Sequence, residues 1–252
     1  MSAALSLKTQ GLVRYFGGLK ATDDVSLDIP AGELHAIIGP NGAGKTTLVN
    51  LLTGELLLDE GKIWIGEQEV SQQPMRQRVS LGLLRSFQIT SVFDAFTVLE
   101  NVCIAARRRQ GLGWSVWRPL VQGRQVRERA MQALEDCGLG TVCHERAANL
   151  AYGQRRQLEI AMVLAAEPSI LLFDEPMAGM SAAEGAATIE LIHKLKQHHT
   201  ILLIEHDMNA VFALADRISV LVYGHVIATG SAEEIRHHPE VRKAYLGDDE
   251  DA

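Results

Sequence analysis

An apolar run, Leu34-His35-Ala36-Ile37-Ile38, leads directly into Gly39-Pro40-Asn41-Gly42-Ala43-Gly44-Lys45-Thr46, and then into Thr47-Leu48-Val49-Asn50-Leu51-Leu52. The middle segment fills every fixed position of the pattern G-x-x-x-x-G-K-[ST], and strand, glycine loop and helix come in the order it requires. Few features constrain a fold more. Such a loop functions at the C-terminal end of a buried strand, with a helix N-terminus behind it that favours negative charge. The glycines let backbone N–H groups close around β- and γ-phosphate oxygens, where a Cβ would collide. Lys45 is placed to reach those oxygens and Thr46 to hold Mg²⁺ through its hydroxyl. Gly39, Pro40, Asn41, Gly42, Ala43, Gly44, Lys45, Thr46 and Thr47 are the expected nucleotide-binding set, with a nucleoside triphosphate and Mg²⁺ as ligands.

A second motif lies where such a fold needs it. Ile170-Leu171-Leu172-Phe173-Asp174-Glu175 is an apolar run ending in two carboxylates, the pattern of a buried parallel strand with acids at its C-terminal end. Asp174 is the expected Mg²⁺ partner, and Glu175 the general base that polarises an attacking water. A third apolar strand, Ile201-Leu202-Leu203-Ile204, ends in Glu205-His206-Asp207. There His206 is expected to face the γ-phosphate.

The rest of the chain sets limits on this reading. Its 252 residues suffice for a full core, as one domain or as a core with a subdomain. No apolar run approaches the roughly 20 residues of a membrane span, and Met1-Ser2-Ala3-Ala4 has no signal-peptide character. The net charge of −7 speaks against a dedicated nucleic-acid binder, and no nucleic-acid partner is expected. Cys103, Cys137 and Cys143 lack metal-ligand spacing and read as reduced cytosolic thiols, the first two as small buried hydrophobes in helices.

Strand signals at Leu5–Leu7, Val25–Ile29, Leu34–Ile38 and Lys62–Ile65 fill the first part of the chain. Between about Thr97 and Ala166 the pattern becomes helical, starting from the capping box Thr97-Val98-Leu99-Glu100 and continuing over Gln122–Cys137 and Gly153–Ala166. Strands return at Ser169–Phe173, Thr200–Ile204, Arg217–Val222 and Val226–Thr229, with a helix over Ala182–His198. The expected organisation is a single domain: a nucleotide-binding core of residues 1–88 and 167–252, split by a helical subdomain of residues 89–166.

The segment Leu150-Ala151-Tyr152-Gly153-Gln154, with Gln154 standing 20 residues ahead of Asp174, resembles the signature sequence of ABC-transporter ATPases, usually written LSGGQ. Arg85-Ser86-Phe87-Gln88 resembles the Q-loop of that family, Ala178-Gly179-Met180-Ser181-Ala182-Ala183-Glu184 occupies the D-loop position, and Phe16 matches the aromatic that stacks on adenine, ahead of its neighbour Tyr15. The likeness runs from about Leu5 to Leu246, with the motifs in family order. Ala151 stands where most branches carry Ser; backbone N–H groups at the helix start near Gly153 remain to bind an anion. The LAYGQ form, Phe16-Gly17-Gly18-Leu19, Gly82–Gln88, Ala178-Gly179-Met180 and Tyr245-Leu246-Gly247 together look like the ATPase of branched-chain amino acid importers, in the longer of its two paralogous types.

That resemblance implies an α/β fold: a P-loop NTPase (RecA-like) core with an antiparallel β subdomain and an inserted α-helical subdomain. It implies that Lys45, Thr46, Gln88, Asp174, Glu175 and His206 of one chain act on ATP, with Thr46, Gln88 and Asp174 around Mg²⁺. The signature residues Leu150, Ala151, Tyr152, Gly153 and Gln154 come from a second ATPase, in a paralogous heterodimer or a homodimer. Two transmembrane permease subunits and, indirectly, a periplasmic solute-binding protein complete the expected assembly, with this chain peripheral on the cytoplasmic face of the bacterial inner membrane. Importers of urea or short-chain amides share these motifs, and exporter ATPases of the lipopolysaccharide-transport type share the compact layout. DNA-repair and translation ATPases of the family fit less well, because the chain has neither their long insertions nor a second cassette. A non-catalytic regulator would be expected to lose Glu175 or His206. Finally, residues 107–124 hold five arginines (Arg107, Arg108, Arg109, Arg118 and Arg124) with Trp114 and Trp117. That composition reads either as a solvated basic face or as a surface turned to anionic lipid headgroups.

Overall fold

The computed structural model describes residues 3–86, 92–108 and 123–246. Phe87 and Gln88, the segment carrying Arg109, Trp114, Trp117 and Arg118, and the acidic end of the chain lie outside the described residues. The chain begins with β1 (Leu7–Phe16), β2 (Leu19–Ile29), β3 (Leu34–Ile38), α1 (Lys45–Thr53), β4 (Glu60–Ile65), β5 (Gln68–Glu69), α2 (Met75–Ser80) and β6 (Leu83–Ser86). Then come α3 (Val98–Arg108), α4 (Arg124–Asp136), α5 (Tyr152–Ala165), β7 (Ile170–Asp174), α6 (Ala182–Leu195) and β8 (Thr200–Ile204). It ends with α7 (Met208–Leu214), β9 (Arg217–Val222), β10 (His225–Gly230), α8 (Ala232–His237) and α9 (Pro239–Leu246).

Two compact units emerge. The first comprises Ala3–Leu84, Ser169–Glu175 and the chain from His193 onward; the second comprises Arg85–Pro168 and Pro176–Ile192. In the first unit, one sheet has the order β10-β9-β3-β8-β7-β6 and the other β2-β1-β4-β5. In the larger sheet, β3 runs parallel to β8 and β9, and β8 parallel to β7, while β10 is antiparallel to β9. Every residue of β3, β7 and β8 is buried. Continuous Val/Ile/Leu-rich runs are what a strand covered on both faces requires.

The smaller sheet is antiparallel, and its strands are longer than the sequence signals. The expected Leu5–Leu7 meets β1 only at Leu7; the strand starts there, runs on to Phe16 and turns through Gly17-Gly18 into β2, with Phe16 opposite Leu19. Lys8 and Gln10 alternate with buried Leu7 and Thr9, and irregular register between Thr9 and Tyr15 interrupts the period. One apolar core joins the two sheets to α1, through Leu7, Leu12, Val25 and Ile29, then Leu48, Leu51 and Leu52, then Ile63, Leu172, Leu202 and Ile204.

One fully buried arginine lies in that core region. Arg78 of α2 donates from Nη1 to the carbonyls of Leu51 (2.6 Å) and Leu52 (2.8 Å), from Nε to Gln73 (2.9 Å) and from Nη2 to Ser71 (3.2 Å). The last carbonyls of a helix have no intrahelical donors. Here a guanidinium supplies them to the end of α1.

In the second unit α3, α4 and α5 pack on one another through Val98, Val102 and Ala106, Val126, Ala130 and Leu134, and Leu158 and Ala161. The capping box before α3 forms as its sequence predicts. Thr97 N donates to Glu100 Oε2 at 2.8 Å, and Glu100 N to Thr97 Oγ1 at 3.2 Å. Asn101, fully buried, accepts from Phe93 N and donates to the carbonyls of Phe93 and Thr97, fixing the entry of the chain into α3. The three cysteines are buried free thiols. Cys103 lies within α3, whereas Cys137, expected inside a helix, is the C-cap just past the end of α4. Burial pushes the Cys103 thiol up to about 11, and Cys137 likewise upward. Both stay protonated and inert.

Candidate functional site

Register places the chemistry of the first unit at one level. Ile204 of β8 is paired on one side with Ile37 of β3 and on the other with Asp174 of β7. The glycine loop, the acidic pair and His206 therefore leave the sheet side by side, at the carboxyl ends of neighbouring parallel strands, where ligands of open α/β sheets bind.

Gly44 caps α1 with φ 102°, and a Cβ there would lie 2.3 Å from the carbonyl oxygen of Ala21. At Gly39 a Cβ would lie 2.1 Å from the carbonyl oxygen of Leu221. Gly224 N donates to Ala43 O, and Asp23 N to Gly224 O, both at 2.9 Å. Backbone from β2 and from the turn after β9 is thus pressed against the loop. Lys45 Nζ donates to the carbonyls of Gly39 (2.7 Å) and Pro40 (2.9 Å); an ammonium has three donors, so one is left for a phosphate oxygen. Burial lowers the pKa of Lys45, and the nearby Glu175 and Asp174 act in the opposite direction. Thr46 is exposed in the first turn of α1. Replacing Gly44 with Ala should weaken ATP binding about tenfold or more, since both the left-handed φ and the Ala21 carbonyl oppose a Cβ. Calorimetric titration with ATP checks this, and wild-type affinity would mean the wall yields.

Asp174, almost fully buried, ends β7. Glu175 follows in a left-handed conformation, φ 48°, its N–H bonded to Ile204 O at 2.9 Å. Non-glycine residues held there cost of order 1–3 kcal/mol and cluster at active sites. The turn aims the Glu175 carboxylate toward β8, where Oε1 lies 3.9 Å from Nδ1 of His206. The His206 ring is two-thirds exposed, and its backbone N–H is bonded to Glu205 Oε2 at 3.1 Å. Phe16, at the end of β1, is half exposed with the Arg14 guanidinium 5.3 Å from its ring centre; Tyr15 beside it has Lys20 over its ring at 5.6 Å. Gln88 lies outside the described residues.

In the second unit the signature residues open α5. Ala151 is the N-cap and Leu150, buried, precedes it. Gln154 Oε1 accepts from Ala151 N at 3.1 Å, one half of a capping box. Ala151 has no side-chain oxygen to supply the other half. The acceptor comes instead from Glu184, whose Oε1 takes the Gly153 N–H at 3.1 Å. Glu184 also caps α6, with Oε2 accepting from Ser181 N (2.9 Å) and Ser181 Oγ (2.7 Å), and the Ser181 hydroxyl holds its carboxyl below the usual carboxylate range. Tyr152 Oη donates to Ala178 O at 3.1 Å. These ties between the signature and D-loop segments are the part of the site that the sequence did not disclose.

The family model described as "ABC transporter" matches residues 22–178. The chain is also 41% identical to the high-affinity branched-chain amino acid transport ATP-binding protein LivG of Salmonella typhimurium, over 96% of this chain and 98% of that protein. The chain belongs to the ABC transporter family. Its C-terminal residues 225–251 match a second model, "Branched-chain amino acid ATP-binding cassette transporter". Among solved structures, this ABC cassette superposes on the ADP conformation of MJ1267, an ATP-binding cassette of an ABC transporter, with a TM-score of 0.87 and 31% identity over 96% of this chain and 99% of that one. It superposes on the dimeric bacterial ABC transporter cassette MJ0796 with a TM-score of 0.75 and 25% identity, over 90% and 98%. The expected P-loop ABC ATPase fold is therefore the fold observed, and the chain is a nucleotide-binding ATPase of that family. Among the described residues no helix is long and apolar enough to cross a membrane.

Proposed function

We propose that this ATPase powers the uptake of branched-chain amino acids through separate permease subunits, from the cytoplasmic face of the membrane. Likeness to LivG across nearly the whole chain carries this reading, together with the C-terminal match over residues 225–251. Gly39–Thr47 bind the phosphates and Phe16 stacks on the base. Thr46 and Asp174 offer the hard oxygen donors that suit Mg²⁺, a cation that keeps several waters and phosphate oxygens of its own; Gln88 joins them. When bound, Mg²⁺ neutralises charge developing on the phosphates. Glu175 takes a proton from the attacking water as its oxygen bonds to the γ-phosphorus and the bond to the β–γ bridging oxygen breaks, releasing ADP and phosphate. His206, beside Glu175, contacts the γ-phosphate.

The signature completes the site from a second chain; the similar cassette MJ0796 is dimeric. Closing two ATPs between two subunits then moves the helical units, and the permease responds. In the cell the second chain is a paralogous ATPase, and isolated protein pairs with itself. Mixing Lys45→Ala protein with Gly153→Asp protein tests the arrangement, because each mixed dimer keeps one composite site intact. An equal mixture should regain about a quarter of wild-type activity, since about half of the dimers are mixed and each keeps one of two sites, while each parent is nearly inactive. Activity no higher than that of the parents would refute the shared site. For the substrate, purified chain with LivG-type permeases in vesicles should drive ATP-dependent leucine uptake.

A further inference from the structure

The Gly153 N–H lies at the N-terminus of α5, where the signature is read to receive the γ-phosphate of the partner's ATP, yet a carboxylate of the same chain already holds it. Glu184 Oε1 accepts that N–H at 3.1 Å, and Glu184 is fixed there by its two bonds to Ser181. The fit is close: a Cβ on Gly153 would stand 2.3 Å from the same oxygen. We infer that Glu184 is an internal latch, a carboxylate that occupies the signature's anion-binding N–H in the separate subunit and must let go before the signature can accept a phosphate.

The reason this chain needs one lies at Ala151. A helix N-terminus leaves several N–H groups without partners, and a Ser at the N-cap normally accepts from the second or third of them. Gly153 is the second residue of α5. With Ala at the cap, the orphan donor is satisfied by Glu184 from the start of α6. One carboxylate thereby stabilises two helix starts, and release gives up a charge-assisted hydrogen bond. Closure of the dimer must exchange one anion for another on the same N–H, so the latch raises the threshold for ATP-driven association without contributing to the chemistry. Repulsion between the Glu184 carboxylate and an incoming phosphate acts in the same sense.

The inference rests on the trans-acting signature proposed above, and its test keeps the two apart. In a Glu175→Gln background, which blocks hydrolysis, the protein concentration for half-dimerisation with Mg-ATP is measured by analytical ultracentrifugation. Glu184→Gln keeps the shape and the α6 cap, since Gln serves in capping boxes. It should lower that concentration about tenfold, because the single amide oxygen stays with Ser181 and the NH2, a donor, is left facing the Gly153 N–H, which is thereby released. Ala151→Ser, which supplies the missing hydroxyl, should lower it as well. Because both changes act by loosening the hold of the Glu184 carboxylate on the same N–H, the double variant should gain clearly less than the product of the two effects. Unchanged or weaker association in both single variants, or effects that multiply fully, would overturn the latch. Should Glu184→Gln fail to fold by circular dichroism, Ala151→Ser alone decides, with no gain counting against the inference. If the Glu175→Gln protein binds ATP and never dimerises, it is the shared-site reading that fails.

Discussion

Glu175→Gln should leave ATP affinity nearly unchanged while slowing hydrolysis by about 10²-fold or more, the usual cost of losing a positioned general base. The substitution is nearly isosteric, and the features that aim the side chain belong to the backbone: φ 48° and the bond from Glu175 N to Ile204 O. The amide will therefore sit where the carboxylate sat, next to His206 at the end of β8, and only proton acceptance is lost. Single-turnover hydrolysis, with affinity determined separately, makes the distinction. Rates near wild type would take Glu175 out of the base role and turn attention to His206.

Arg78→Met should destabilise the protein by about 1–3 kcal/mol or somewhat more, the cost of leaving buried backbone carbonyls without their donor. Arg78 is fully buried, burial alone pulls its pKa down to about 10, and it remains charged at neutral pH. Methionine fills similar space but donates nothing, so the Leu52 carbonyl at the end of α1 loses the guanidinium and Leu51 keeps only the Gly54 N–H at 3.3 Å; each buried acceptor left unsatisfied costs about 1–3 kcal/mol. Urea unfolding should show a lower midpoint at an unchanged slope. A loss below about 1 kcal/mol would mean that water replaces the guanidinium at those carbonyls. Because α1 is the helix behind the glycine loop, the variant should bind ATP more weakly near its unfolding midpoint than far from it.

Legibility followed burial pattern. β3 and β8 were readable to the residue, and β7 to within one, because unbroken apolar runs bounded by turn residues have few alternative conformations. The glycine loop was readable because each fixed position has a steric or electrostatic reason. The hairpin of β1 and β2 was not, since Lys8, Gln10 and Arg14 sit on its solvated side and bulges break the alternation. Arg78 could not be read as a core residue at all: an arginine in a sequence stands for surface unless its partners are known, and these are backbone carbonyls, two of them 26 and 27 residues away. The bond between Glu184 and Gly153 spans 31 residues and joins two motifs that sequence reading treats as separate. Neither motif carries a local signal of it.

The carbonyls of Ala21 and Leu221 that abut Gly44 and Gly39 bear on how nucleotide affinity is inherited in such a chain. These two oxygens come from strands on either side of the motif in sequence, so the curvature of the loop is moulded from outside rather than encoded within residues 39–46. A peptide excised around the motif would keep all its glycines and lose the mould. Conversely, drift in β2 or at the end of β9 can alter grip on ATP while every letter of the motif stays in place, so intact spelling of the loop is no guarantee of a working one.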